Sequence, residues 1–210
     1  MDLPKAEDLV SCGDLEYLEN LTRLLNRAGF GFSGVFVEGL TSQEALTIGK
    51  RQGPHTGTRR VACGDPERAH LYARLVDKGP REDTRLAACK EPYWALQYAQ
   101  DVDKGPHEIT RLAACGHPGW ALRYASTVDK GPRDDTRLAA CGDPERAYWY
   151  ALDVDQVSRK DTRRVACGDL EWAYYYARYV DKGFHEETWA SVRGTEWENE
   201  YRTKIRFPGT

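Results

Sequence analysis

The sequence predicts an all-α protein, an α-solenoid of about five 26-residue two-helix repeats with divergent N- and C-terminal caps. Three observations carry that expectation. Cys63, Cys89, Cys115, Cys141 and Cys167 are each 26 residues apart, and a fixed period of roughly 20–50 residues marks stacked supersecondary units. One phrase surrounds each cysteine, as in Asp83-Thr84-Arg85-Leu86-Ala87-Ala88-Cys89 and Asp135-Thr136-Arg137-Leu138-Ala139-Ala140-Cys141. The segment that follows places its apolar residues at helical spacing, without the alternation of a strand.

Residues 1–52 read as an N-terminal cap with a degenerate repeat. Cys12-Gly13-Asp14-Leu15-Glu16 echoes Cys167-Gly168-Asp169-Leu170-Glu171, and Val37 then stands at a cysteine position. Gly29 to Gly34 fits the spacing GxGxxG, but residues 21–26 before it read as helix where a phosphate-binding fingerprint needs a strand, so the segment is expected to be a link. Asn20-Leu21-Thr22 forms a glycosylation sequon, expected to be a surface turn because no export signal precedes it.

Residues 53–182 form the repeat array. In each unit an aspartate such as Asp135 is expected to cap a short first helix, with Gly142 just past its end. Asp143 then caps the second helix and Pro144 occupies its first turn. Ala121, Tyr124, Ala125 and Val128 make one apolar stripe, and Lys130-Gly131-Pro132 ends the helix with a cation, a stop and a breaker. Alanine at 69, 95, 121, 147 and 173, and again at 73, 99, 125, 151 and 177, lets helices approach closely, while tyrosine at 72, 98, 124, 150 and 176 fills the remaining gaps. A single such hairpin cannot bury its own apolar face, so cohesion must come from stacking. Residues 183–210 are charged and aromatic and read as a C-terminal cap.

The Thr-Arg phrase, the Pro-initiated second helix and the aspartate before the next Thr-Arg resemble HEAT-like repeats, especially their short leucine-rich-variant relatives, over residues 53–182. The resemblance implies an Asp and Arg ladder joining successive units through Asp77, Asp103, Asp129, Asp155 and Asp181 with Arg85, Arg111, Arg137 and Arg163. The chain departs from the leucine-rich-variant pattern by using Cys, Ala and Tyr where leucine and asparagine are usual. Its last residues also resemble the ends of short bacteriophage proteins, which would make the partner a host factor that the scaffold inhibits.

Thirty basic against 33 acidic side chains disfavour a polyanion binder, which shows a basic excess. No stretch approaches the ~18 apolar residues of a membrane span, so a cytoplasmic protein is expected. Equivalent cysteines in stacked helices lie roughly 8–10 Å apart, too far for a disulfide or a shared zinc ion; they read as small buried hydrophobes, and no metal or cofactor is expected. His55, His107 and His185 after the loop turns, with His70 and His117 elsewhere, lack metal-ligand spacing and read as loop and surface residues. No nucleophile and base stand together, so no enzyme is expected.

Positions that vary between repeats are the candidates for recognition. Leu86, Leu112 and Leu138 occupy one position that Arg60 and Arg164 occupy in the flanking units, an apolar stripe with cationic ends. Trp94, Trp120 and Trp172 share a second position, with Trp149, Tyr175 and Tyr179 further along, either as interface anchors or as covers for helix seams. The expected function is non-catalytic binding of another protein. The alternative is nucleic-acid binding through Arg59, Arg60, Arg85, Arg111, Arg137, Arg163 and Arg164.

Overall fold

The structure, a computed structural model, describes residues 39–207. Among these residues every regular element is helical, and 13 α-helices, the last twelve as packed pairs, follow the 26-residue period of an α-solenoid. The Cys12 echo, the glycosylation sequon, the GxGxxG segment and Val37 lie outside the described residues.

The chain divides into two compact units, with the division at Lys104 and Gly105. The first holds the helix Ser42–Gln52, repeat 1 (Thr56–Ala62 and Pro66–Tyr72) and repeat 2 (Glu82–Ala88 and Pro92–Tyr98). The second holds repeat 3 (Glu108–Ala114 and Pro118–Tyr124), repeat 4 (Asp134–Ala140 and Pro144–Trp149), repeat 5 (Lys160–Ala166 and Leu170–Tyr175) and a closing hairpin, Glu186–Val192 and Glu198–Lys204.

Local signals set the second helices as expected. Asp65, Asp143 and Asp169 each accept a backbone N–H in the first turn, and Pro66, Pro92, Pro118 and Pro144 stand at the helix start, where a missing N–H costs nothing. In repeats 1–5 every second helix then widens into a π turn, such as Ala73–Asp77 and Ala125–Asp129. The turn ends on a left-handed residue: Lys78, Lys104, Lys130, Gln156 or Lys182, with φ between 55 and 61°. The stop is therefore the lysine, or Gln156 in repeat 4, and not a glycine; in repeat 1 both N–H groups, of Lys78 and Gly79, reach the carbonyl of Ala73.

Two expected caps differ. Gly142 is not left-handed; a Cβ there would lie 3.0 Å from Cγ of Pro118 in the preceding repeat, so the glycine eases a tight approach that Lys90 makes at the same position of repeat 2. Asp135 lies inside its helix, whose N-cap is Arg133.

Asp135 still accepts the Thr136 N–H at 2.8 Å from inside the helix, and a tyrosine closes the start of each first helix as well. Tyr72, Tyr98, Tyr124, Tyr150, Tyr176 and Tyr201 are all 0% exposed. A buried phenol needs partners for its hydroxyl, and each finds them at the start of the first helix of its own hairpin. In repeat 4 the N–H of Arg133 donates to Tyr150 Oη (3.0 Å), which donates to the Arg133 carbonyl (3.1 Å) and lies 2.8 Å from Thr136 Oγ1. The same clamp recurs at Thr58, Thr84, Thr110, Thr162 and Thr188, with threonine to tyrosine oxygen distances of 2.7–2.9 Å. It thus continues into the closing hairpin, where Thr188 meets Tyr201 one residue closer in sequence than elsewhere. The alanines of the stripe, such as Ala121, Ala125, Ala147 and Ala151, are fully buried as expected.

Apolar clusters lie at both edges of the described residues. Leu46 and Ala45 pack on Ala62, Tyr72 and Val76. Val192, Tyr201 and Ile205 bury Ala173 and Ala177, with Phe184, Trp189, Trp197 and Phe207 around them.

Charges tie the two helices of a repeat together more than they tie successive repeats. Arg59, Arg85, Arg137 and Arg163 pair with Asp77, Asp103, Asp155 and Asp181 of their own repeats at 2.7–2.8 Å. Arg111 is different: its Nε donates to Asp135 of the next repeat at 2.7 Å. Asp129 is left 3.9 Å from the Arg111 guanidinium and 3.7 Å from that of Arg133, with neither carboxylate oxygen hydrogen-bonded.

Candidate functional site

The recurring leucines are exposed, Leu86 in the first unit and Leu112 and Leu138 in the second. Leu86, Leu112 and Leu138 are 50%, 54% and 76% exposed, on first helices whose other faces bury threonine and alanine. Arg60 and Arg164, at the same position of repeats 1 and 5, are exposed too. Single exposed leucines are ordinary; what singles these out is recurrence in register.

The aromatic positions separate into different surroundings. Trp94 is half-buried in the first unit, against Ala73, Ala88, Tyr98 and Val102. In the second unit Trp149, Trp172, Tyr175 and Tyr179 belong to one sheet of rings. Tyr148 lies 5.0 Å from Trp149 and 5.4 Å from Trp172, while Tyr175 lies 5.6 Å from Trp172 and 6.1 Å from Tyr179. Such offset and tilted contacts favour ring quadrupoles. The sheet is extended by Tyr174 and Trp197, 5.3 Å apart, and by Arg178, whose guanidinium stands 5.0 Å over Tyr179. Tyr148, Tyr174, Trp197 and Arg178 are additions to the positions singled out from the sequence; Tyr148 and Tyr174 share a repeat position with His70, Leu96 and Leu122, the one signal that marks them in the chain. Burial pushes the Tyr148 hydroxyl up to about 12.

Trp120 stands apart from this sheet, beside a groove of ≈ 410 Å³ lined by His117, Gly119, Leu122, Arg123, Arg146 and Asp153 among others.

The histidines do more than face solvent. His55, His107, His117 and His185 are N-caps whose Nδ1 accepts a backbone N–H at 3.1–3.3 Å. His70 is buried at 2% exposure, against Trp94 (5.5 Å) and Tyr98 (6.4 Å). Its Nε2 lies 3.2 Å from Asp101 Oδ2, which Arg74 also holds at 3.0 Å, and its Nδ1 has no hydrogen-bond partner.

Burial lowers the His70 pKa below the usual histidine value, against the attraction of Asp101 and Glu67 and with the help of Arg74. The unfolded chain therefore binds the proton more readily, and stability is lost as pH falls through the ordinary histidine range. His70→Leu, which installs the residue found at positions 96 and 122, is expected to flatten this part of the urea-midpoint profile between about pH 7 and 5. Parallel profiles for the two proteins would refute the assignment.

Cys63, Cys89, Cys115, Cys141 and Cys167 are free, half-buried thiols. Burial pushes the first four up to about 11 and raises Cys167 as well, which keeps them protonated and poorly nucleophilic. Among the described residues no three metal-capable side chains converge, and no helix is long and apolar enough to cross a membrane. No family model, curated protein or solved structure matches the chain.

Proposed function

We propose that this chain is a non-catalytic binding protein, a HEAT-like scaffold that engages another protein through the variable positions of its helices. The observation that carries the reading is the register of exposed leucines at 86, 112 and 138 on helices whose repeating residues are committed to stacking. Large apolar side chains at a recurring exposed position, flanked by arginine, have the composition of an interface core and rim. The ring sheet around Tyr175 and Tyr179 supplies aromatic anchors of the kind that dominate binding energy. The phage-like ending makes inhibition of a host factor the natural extension of this reading.

The duplex-binding alternative loses its main support. The ladder arginines Arg59, Arg85, Arg111, Arg137 and Arg163 are held by carboxylates, with side chains only 6–14% exposed. Arg60 and Arg164 remain exposed, too few for a groove that tracks phosphates.

The experiment pairs partner capture from the native cell with the double variant Leu112→Glu/Leu138→Glu. Exposed sites change stability by no more than about 0.5 kcal/mol, so the expected result is an unchanged melting curve with loss of the captured protein. Undiminished capture would reject the leucine face. Salt-sensitive binding to random duplex DNA would instead restore the phosphate-binding reading.

A further inference from the structure

The groove beside Trp120 breaks the repeat at several positions at once. In three seams between consecutive hairpins a ring on one second helix meets a ring on the next: His70 with Trp94 (5.5 Å), Tyr148 with Trp172 (5.4 Å) and Tyr174 with Trp197 (5.3 Å). In the seam between repeats 3 and 4 the corresponding residues are Leu122 and Arg146. Both rings are missing there, and the ≈ 410 Å³ groove opens.

Two further changes alter its size and charge. Gly119 stands where the other repeats carry Glu67, Tyr93, Glu145 and Glu171, and His117 stands where they carry Asp65, Glu91, Asp143 and Asp169. The groove therefore lacks two carboxylates that its neighbours would place there. Its charged lining is Arg123 and Arg146 against the single carboxylate of Asp153. Arg146 meets only Glu145 at 3.4 Å, with both side chains well exposed; such a surface pair is weak and easily exchanged. Trp120 and Leu122 supply the apolar wall, and Trp120 is half-buried, so its ring is held in place.

We propose that this groove binds a small planar aromatic anion. The ligand's ring takes the place of the absent ring pair, against Trp120 and beneath the Arg146 guanidinium, and its carboxylate or phosphate is held by Arg123 and Arg146. A guanidinium both stacks on a ring and donates in a fork to an oxyanion, so these two arginines can read both halves of one molecule. The pocket size is that of a small-molecule site. The site uses neither Leu112 nor Leu138 and stands apart from the leucine face.

The test is calorimetric titration of the full chain with two probes, 4-hydroxybenzoate and adenosine monophosphate, alongside cyclohexanecarboxylate and inorganic phosphate. Saturable binding of at least one aromatic probe is expected, with the non-aromatic anions weaker by about tenfold, the scale of one lost ring contact. Which probe binds tells whether a carboxylate or a phosphate is accepted. Arg123→Ala is expected to weaken that probe by about tenfold or more, as for a lost hydrogen bond to a charge.

Gly119→Glu restores the residue of repeats 1, 4 and 5. Its Cβ would meet only the His117 ring at 3.4 Å and Arg146 Nε at 3.8 Å, so the fold accepts it, and the carboxylate should abolish binding with an unchanged melting temperature. The double variant Leu122→Tyr/Arg146→Trp rebuilds the neighbouring seam and should do the same. Failure of both aromatic probes to bind, equal binding of cyclohexanecarboxylate, or full binding by folded Gly119→Glu would overturn the proposal.

Discussion

Asp155→Ala is expected to lower the unfolding free energy by about 3 kcal/mol, the lower end of the cost of breaking a buried ion pair. The Asp155 side chain is 0% exposed and receives three close contacts from Nε and Nη2 of Arg137, itself 6% exposed. Those bonds hold the Arg137 pKa above its ordinary value. Without the aspartate the guanidinium keeps one carboxylate, Asp134, at 2.6 Å but on a fully exposed side chain, and its place over the Tyr150 ring, which is why the lower end applies.

Asp129 is the matched control, the same position one repeat earlier. Burial raises its carboxyl pKa, and neither oxygen is hydrogen-bonded. A carboxyl whose folded pKa is raised loses stability as pH rises through the carboxylate range. Asp129→Asn is therefore expected to be neutral or stabilising at pH 7, where Asp155→Ala is costly. Urea denaturation of both variants checks the pair, and equal losses at the two positions would contradict the unequal ladder.

Removing one oxygen should be nearly as informative. Tyr150→Phe is expected to cost about 2 kcal/mol, the penalty for leaving buried polar groups unpaired. The ring still fills its site, but the Arg133 N–H loses its acceptor and Thr136 Oγ1 keeps only the Arg133 carbonyl. Thr136→Val should cost less, because Tyr150 retains both backbone bonds at Arg133. The double variant should fall short of the sum, since the two hydroxyls share one network. Full additivity would show that the tyrosine acts by volume alone.

The repeat and its helices were legible from the chain because their signals are local. Asp143 and Pro144 start a helix through groups within a few residues, and the recurring Thr-Arg-x-x-Ala-Cys phrase declares the period wherever it is read. The alanine stripe likewise announced close packing, since nothing larger fits between touching helices. The variable leucines were legible as a register, and their exposure followed from the stripe they do not share.

Other features depended on which residues stacking brings together. The Tyr150 hydroxyl closes a helix start 17 residues upstream, and no spacing rule says that a gap-filling ring will also serve as a cap. Arg111 could face either Asp129 or Asp135, both at suitable separations, and only packing assigned it to the latter. His70 looked like a surface residue until Trp94, from the next repeat, covered it. The groove at Trp120 opens where Leu122 and Arg146, on consecutive repeats, occupy positions that a pair of rings fills in three other seams. Short-range chemistry thus determined the helices and their period, while the contacts between stacked hairpins decided which side chains are spent on cohesion and which remain available to a ligand.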